Sequence, residues 1–169
     1  MKPKHMRAYM DCAQAFARCS VGERLKVGTV IVKGNRIVSC GYNALPEHLH
    51  GPLEDRNNKT KPEVRHSEKN ALMGLVRSSE SAVGATMFCT HSSCYLCAVD
   101  IVDAGIVEFV FRDFYRTNEG LKHFLKAGVK VMLQYGDEFT ELQLQDLASD
   151  NTNNYQVPCG TCTTIKTDI

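Results

Sequence analysis

From Thr86 onward the chain alternates between short β-branched or aromatic runs and stretches with helical spacing. Thr86 to Thr90 reads as a strand, Cys94 to Ala104 as a helix, Val107 to Arg112 as a strand, Glu119 to Lys126 as a helix and Val129 to Leu133 as a strand. Strands joined by helical crossovers pair in parallel and must be covered by those helices, so the alternation restricts the fold to an α/β sheet. Gly105 and Gly128 fall where each helix has to stop, the position at which a left-handed cap favours glycine. Upstream, the runs Lys26 to Val32 and Ile37 to Tyr42 flank Lys33-Gly34-Asn35-Arg36, a hairpin signal, and add an antiparallel pair. The expected sheet is therefore mixed and five-stranded. Helices are expected over Lys4 to Cys19 and His66 to Val76, the first from the one-sided spacing of Met6, Tyr9, Met10, Ala13 and Ala17.

With 169 residues the chain has room for one compact domain. The main folded domain is expected over residues 1–136, followed by a C-terminal helix at Glu138 to Leu147 and a polar tail within 137–169. The segment from Ala44 to Arg65, with Pro46, Pro52 and Pro62, is too long and polar for an ordinary connection, which points to a functional or mobile loop. No apolar stretch approaches the ~18 residues of a membrane helix, and Asp11 and Gln14 interrupt any signal-peptide run; a cytoplasmic protein with no membrane partner is expected. Twenty Lys and Arg against nineteen Asp and Glu leave a formal charge of +1, too small a field for non-specific nucleic-acid binding, so a small substrate fits better.

Eight cysteines are distributed unevenly. Cys12, Cys19, Cys40 and Cys89 stand alone in apolar surroundings and are expected to be buried filler. Cys94 and Cys97 form a C-x-x-C pair at a helix start, where both sulfurs can share one face and the helix end favours thiolate. Together with His66 they make a nitrogen and sulfur donor set suited to zinc, and three protein ligands leave a fourth place for water, as a catalytic site requires. Glu68 is offset from His66 so as to address that place rather than complete the shell, and is the candidate general acid and base.

H-x-E followed by C-x-x-C, each at the start of a helix in an alternating α/β chain, is the signature of the zinc deaminases. The sequence resembles the cytidine deaminase superfamily, and within it the deoxycytidylate deaminases, through VGTVIV at Val27 to Val32, GYN at Gly41 to Asn43, HSEKNAL at His66 to Leu72 and DAGI at Asp103 to Ile106. The likeness runs from about Cys19 to Val131. Ser67 stands where the family usually has Ala, Ser93 where Pro normally precedes the first cysteine, and Ala44 where GYNG would carry glycine.

The resemblance implies a three-layer α/β/α sandwich and hydrolytic conversion of dCMP to dUMP and ammonia, feeding thymidylate synthesis, with dCTP as substrate or effector. It implies that Asn43 meets the sugar, Arg24 and, more weakly, Lys26 the phosphate, that Tyr115 lines the nucleotide site, and that the Ser67 backbone N–H binds the ring carbonyl. It also implies a homo-oligomer, a hexamer in the family, regulated by dCTP and dTTP with Mg2+. Two other readings are a deaminase of tRNA or single-stranded DNA bases, and a non-catalytic zinc module closed by Cys159 or Cys162. That second C-x-x-C pair lies in a Gly/Thr-rich end without helical pattern and is expected to be non-catalytic.

Overall fold

The computed structural model describes residues 1–147. Six strands form one sheet in the order β2-β1-β3-β4-β5-β6. In chain order, α1 (Pro3–Ala17) leads into β1 (Gly28–Lys33) and β2 (Arg36–Tyr42), and α2 (Ser67–Val76) into β3 (Thr86–His91). Then follow α3 (Tyr95–Asp103), β4 (Glu108–Asp113), α4 (Glu119–Lys126), β5 (Lys130–Tyr135) and β6 (Glu138–Glu141). β1 pairs antiparallel with β2 and β3, whereas β3, β4 and β5 run parallel, so the mixed sheet is as expected. Gly34 and Asn35 turn the first hairpin with φ of 55° and 60°, and Gly105 and Gly128 end their helices at 82° and 79°.

The strand period divides the core in two. Ile31, Met87, Phe109 and Val131 lie in register on one face and Val30, Phe88, Val110 and Met132 on the other. The first row packs with Ala71, Leu72 and Leu75 of α2, Ala98 and Ile101 of α3 and Leu121 and Phe124 of α4. The second is covered by Met6, Met10 and Ala13 of α1. Burial of each such side chain contributes about 1.5–3 kcal/mol, so both faces must be covered for the sheet to persist. The result is the expected α/β/α sandwich, with one helix on one side and three on the other.

Three expectations are corrected. The sheet has six strands rather than five, because Glu138–Glu141 pairs antiparallel with β5. Residues 138–147 therefore form a strand and a short 3-10 turn (Leu144–Leu147), not a helix, and the sheet continues across the division expected at 136. Leu142 and Leu147 are fully buried in the main core, which fixes this segment to the sheet. Of the solitary cysteines, Cys89 is buried and Cys12 half-buried, but Cys19 and Cys40 are exposed. Cys19 lies just past the end of α1, and Cys40 sits on the edge strand β2, where fewer neighbours cover it. Among the described residues no helix is long and apolar enough to cross a membrane.

Candidate metal centre and active site

The ends of β2, β3 and β4 and the start of β1 all open onto one edge of the sheet, the side where ligands collect in open α/β folds. His66 and Cys94 occupy equivalent positions there. Each is the last extended residue before a helix, α2 and α3 respectively. Gly41 lets the first turn of α2 seat directly on β2, since a Cβ at that position would fall 2.4 Å from the Ser67 carbonyl oxygen and 2.5 Å from the Ala71 nitrogen. Gly120 does the same for α4 against the Ser93–Cys94 backbone, where a Cβ would come within 2.1 Å of the Ser93 oxygen.

These seats bring three donors together. His66 Nδ1 lies 3.6 Å from Cys94 Sγ and 3.4 Å from Cys97 Sγ, and all three atoms are within 4.8 Å of one another. Tetrahedral zinc with bonds of about 2.1 Å to nitrogen and 2.3 Å to sulfur requires a nitrogen-to-sulfur separation of about 3.6 Å, so the donor set fits zinc in element, number and spacing. Its electrostatics fit as well. A hydrogen bond from Cys97, then one with His66, brings Cys94 down to about 4, while the Cys97 thiol is raised by that same bond, by burial and by the charge on Glu68. His66 is raised chiefly by its hydrogen bond with Cys94. The lowered Cys94 thiol offers the negative charge that a cation would meet there.

Glu68, on the first turn of α2, is 4% exposed. Burial raises its carboxyl, partly offset by its own backbone N–H, by His66 and by Ser67. Both carboxylate oxygens accept hydroxyl hydrogen bonds: Ser67 Oγ donates to Oε2 at 3.0 Å, and Ser93 Oγ to Oε1 at 3.1 Å. Ser67 Oγ is also 2.8 Å from Thr29 Oγ1, itself 3.2 Å from Cys89 Sγ. Burial, then the charge of Glu68, pushes Cys89 up to about 12, so it remains a thiol.

The other sequence candidates lie in the segments that lead into β1 or leave β2 and β4. Arg24 and Lys26 are exposed in the connection between α1 and β1, and Tyr115 is half-buried beyond β4. The backbone N–H of Tyr115 donates to Ser92 Oγ at 2.7 Å, and Arg116 lies over its ring at 4.9 Å. Asn43 spends its amide on the backbone: Oδ1 accepts from Val27 N–H at 2.8 Å and Nδ2 donates to the Leu25 carbonyl at 2.9 Å. It therefore braces the loop that carries Arg24 and Lys26. Glu54, which the sequence did not single out, accepts from the backbone N–H groups of Glu23 and Arg24 at 3.3 Å each. Its only sequence signal was a carboxylate within the long Ala44–Arg65 loop. Cys159 and Cys162 lie outside the described residues, and with them the zinc module that either would close.

Residues 3–113 match the family of the cytidine and deoxycytidylate deaminase zinc-binding region. The chain belongs to this deaminase family. A deoxycytidylate deaminase of Saccharomyces cerevisiae is 33% identical over 141 residues, 78% of this chain and 45% of that protein, so the chain spans under half the length of this relative. One of Mycobacterium phage D29 is 32% identical over 124 residues, 65% of this chain and 95% of the phage protein. The crystal structure of dCMP deaminase from the cyanophage S-TIM5 in complex with dCMP and dUMP superposes with a TM-score of 0.78 at 38% identity, covering 79% of this chain and 99% of that one. Ser67 and Ser93 both bear on the site, since both hydroxyls reach the carboxylate of Glu68.

Proposed function

We propose that this chain hydrolyses the exocyclic amine of a deoxycytidine nucleotide, converting dCMP to dUMP and ammonia. The observation that carries the reading is a buried carboxylate beside a three-donor metal site with tetrahedral spacing. The likeness to a phage dCMP deaminase along 99% of that enzyme supports the substrate. His66, Cys94 and Cys97 would hold zinc; when bound, the metal acidifies a water molecule so that it can attack near neutral pH.

Glu68 takes the proton from the attacking water as its oxygen adds to C4 of the cytosine ring, and delivers it to N3. A second proton passes through Glu68 to the 4-amino group, the C4–N4 bond breaks, and ammonia leaves with the carbonyl of uracil formed. The atoms balance as substrate plus water giving product plus ammonia, without a redox step. The Ser67 N–H, among the helix N–H groups with no intrahelical partner, is suited to the ring O2. Arg24 and Lys26 offer cations to the 5′-phosphate, Asn43 holds their loop and can address the sugar with its remaining capacity, and Tyr115 closes the far side.

Incubating zinc-loaded protein with dCMP, dCTP, CMP and deoxycytidine, and following the loss of cytosine absorbance, tests the reading. Turnover fastest on dCMP is expected; intact dCMP after prolonged incubation contradicts it. The same proposal extends to regulation by dCTP and dTTP with Mg2+ in a homo-oligomer. A cavity of about 620 Å³ between the long loop and α2, with His48, Arg65 and Arg77 around it, is a place where a triphosphate could act on the helix that starts at His66. Sigmoidal rate curves that either triphosphate shifts support this, and hyperbolic curves indifferent to both contradict it.

A further inference from the structure

Two residues at which this chain departs from its family converge on one side chain. Ser67 follows the candidate ligand His66 and Ser93 precedes the candidate ligand Cys94, and the alanine and proline usual at these positions carry no side-chain donor. Ser67 and Ser93 are fully or almost fully buried, at 0% exposure each, and their hydroxyls meet opposite oxygens of Glu68 at 3.0 and 3.1 Å. Ser67 is in turn fixed from behind by Thr29 at 2.8 Å, and Thr29 by contact with Cys89 at 3.2 Å, with Thr29 and Cys89 also at 0% exposure. The carboxylate is thus tied to both ligand-bearing segments at once, one hydroxyl on each of its oxygens.

We infer that Ser67 and Ser93 are positioning residues that aim the carboxylate of Glu68. This rests on Glu68 acting as the proton carrier proposed above. A glutamate with three side-chain torsions, only 4% exposed, has several orientations of similar energy unless donors select one. Two charge-assisted hydrogen bonds from opposite sides leave the carboxylate a single plane. Misplacement of a reacting group by about 1 Å costs on the order of 100-fold in rate. The hydroxyl bonds therefore act on kcat, whereas the Ser67 contact assigned to substrate is its backbone N–H, which a side-chain change leaves in place.

The experiment compares the zinc-loaded wild-type protein with Ser67→Ala, Ser93→Ala and the double variant, each alone and combined with Glu68→Gln. Single variants are expected to lower kcat about tenfold and the double about 100-fold, with KM, zinc content and Tm close to wild type. In the Glu68→Gln background the same changes should alter the residual rate less than twofold, because the group they aim is gone. A crystal structure of the double variant should show the Glu68 carboxylate in more than one orientation. Unchanged kcat in the double variant, or equal losses with and without Glu68, overturns the inference while leaving the deaminase reading intact. Absence of dCMP turnover in the wild-type protein overturns both, and a loss confined to KM or to zinc content assigns the serines a merely structural part.

Discussion

His91, at the end of β3, is a half-buried imidazole whose proton affinity is lowered, chiefly by desolvation and against the pull of Asp113, with Arg112 adding to the depression. Its Nδ1 lies 3.1 Å from Thr90 Oγ1, and its Nε2 is 3.9 Å from an Asp113 oxygen. The unfolded chain protonates this histidine near the ordinary value of about 6.5, where the folded protein still holds it neutral. Stability from this group is complete above that pH and is lost as pH falls toward the lower folded value. His91→Gln should flatten the fall of Tm between pH 7.5 and 5.5, measured on zinc-loaded protein so that His66 stays occupied. Identical slopes would contradict the burial argument. At this scale the sequence singled out His66, Glu68, Cys94 and Cys97 by residue type and spacing, and the fold gathers the three donors within 4.8 Å of one another. It flagged Ser93 only as a departure, and Ser67 as a departure whose backbone N–H would meet the ring carbonyl, since the partner of the Ser93 hydroxyl, 25 residues away, depends on how α2 and α3 are seated.

Elements, rather than single side chains, hold the two ligand-bearing helix starts together. α4 approaches the Ser93–Cys94 backbone so closely that Gly120→Ala would place a methyl 2.1 Å from a carbonyl oxygen, with no flexible side chain to move aside. The variant should lose about 2 kcal/mol or more and bind zinc more weakly, measured by denaturant unfolding and metal titration. Gly74→Ala is the contrast: its Cβ meets only the Ser39 hydroxyl, at 2.7 Å, and the gain in helix propensity of about 0.5–1 kcal/mol offsets the adjustment. Equal losses from both would contradict the close-approach account. The long strands and the caps at Gly105 and Gly128 were legible because burial on both faces leaves continuous apolar runs. β6 was not, because a four-residue edge strand buries little, and its pattern of Phe139, Leu142 and Leu147 also suits a helix. The two-residue turn Gly136-Asp137 between the paired Tyr135 and Glu138 was the signal available to find it.

Across the whole molecule, the sheet edge, the three donors and the buried carboxylate form one unit, so metal occupancy and stability are coupled. Zinc at about 100 times its Kd adds about 2.7 kcal/mol to the folded state, which for a domain of this size raises Tm by about 5–10 °C. Chelation should remove that increment and readdition restore it, followed by calorimetry; an unchanged Tm would mean that the donors hold no metal. Zinc affinity should also weaken as pH falls, because protons return to His66 and Cys97, both of which hold them more firmly than usual without the metal. The central claim is that Glu68 moves the protons of a deamination whose metal is held by His66, Cys94 and Cys97. Turnover of dCMP by wild-type and Glu68→Gln protein, with zinc counted in each, tests it most directly. One zinc per chain in both, with dUMP and ammonia formed by the wild type and a rate lower by at least about 100-fold in the variant, is the predicted result. Equal rates in the two, or no dUMP from either, would contradict it.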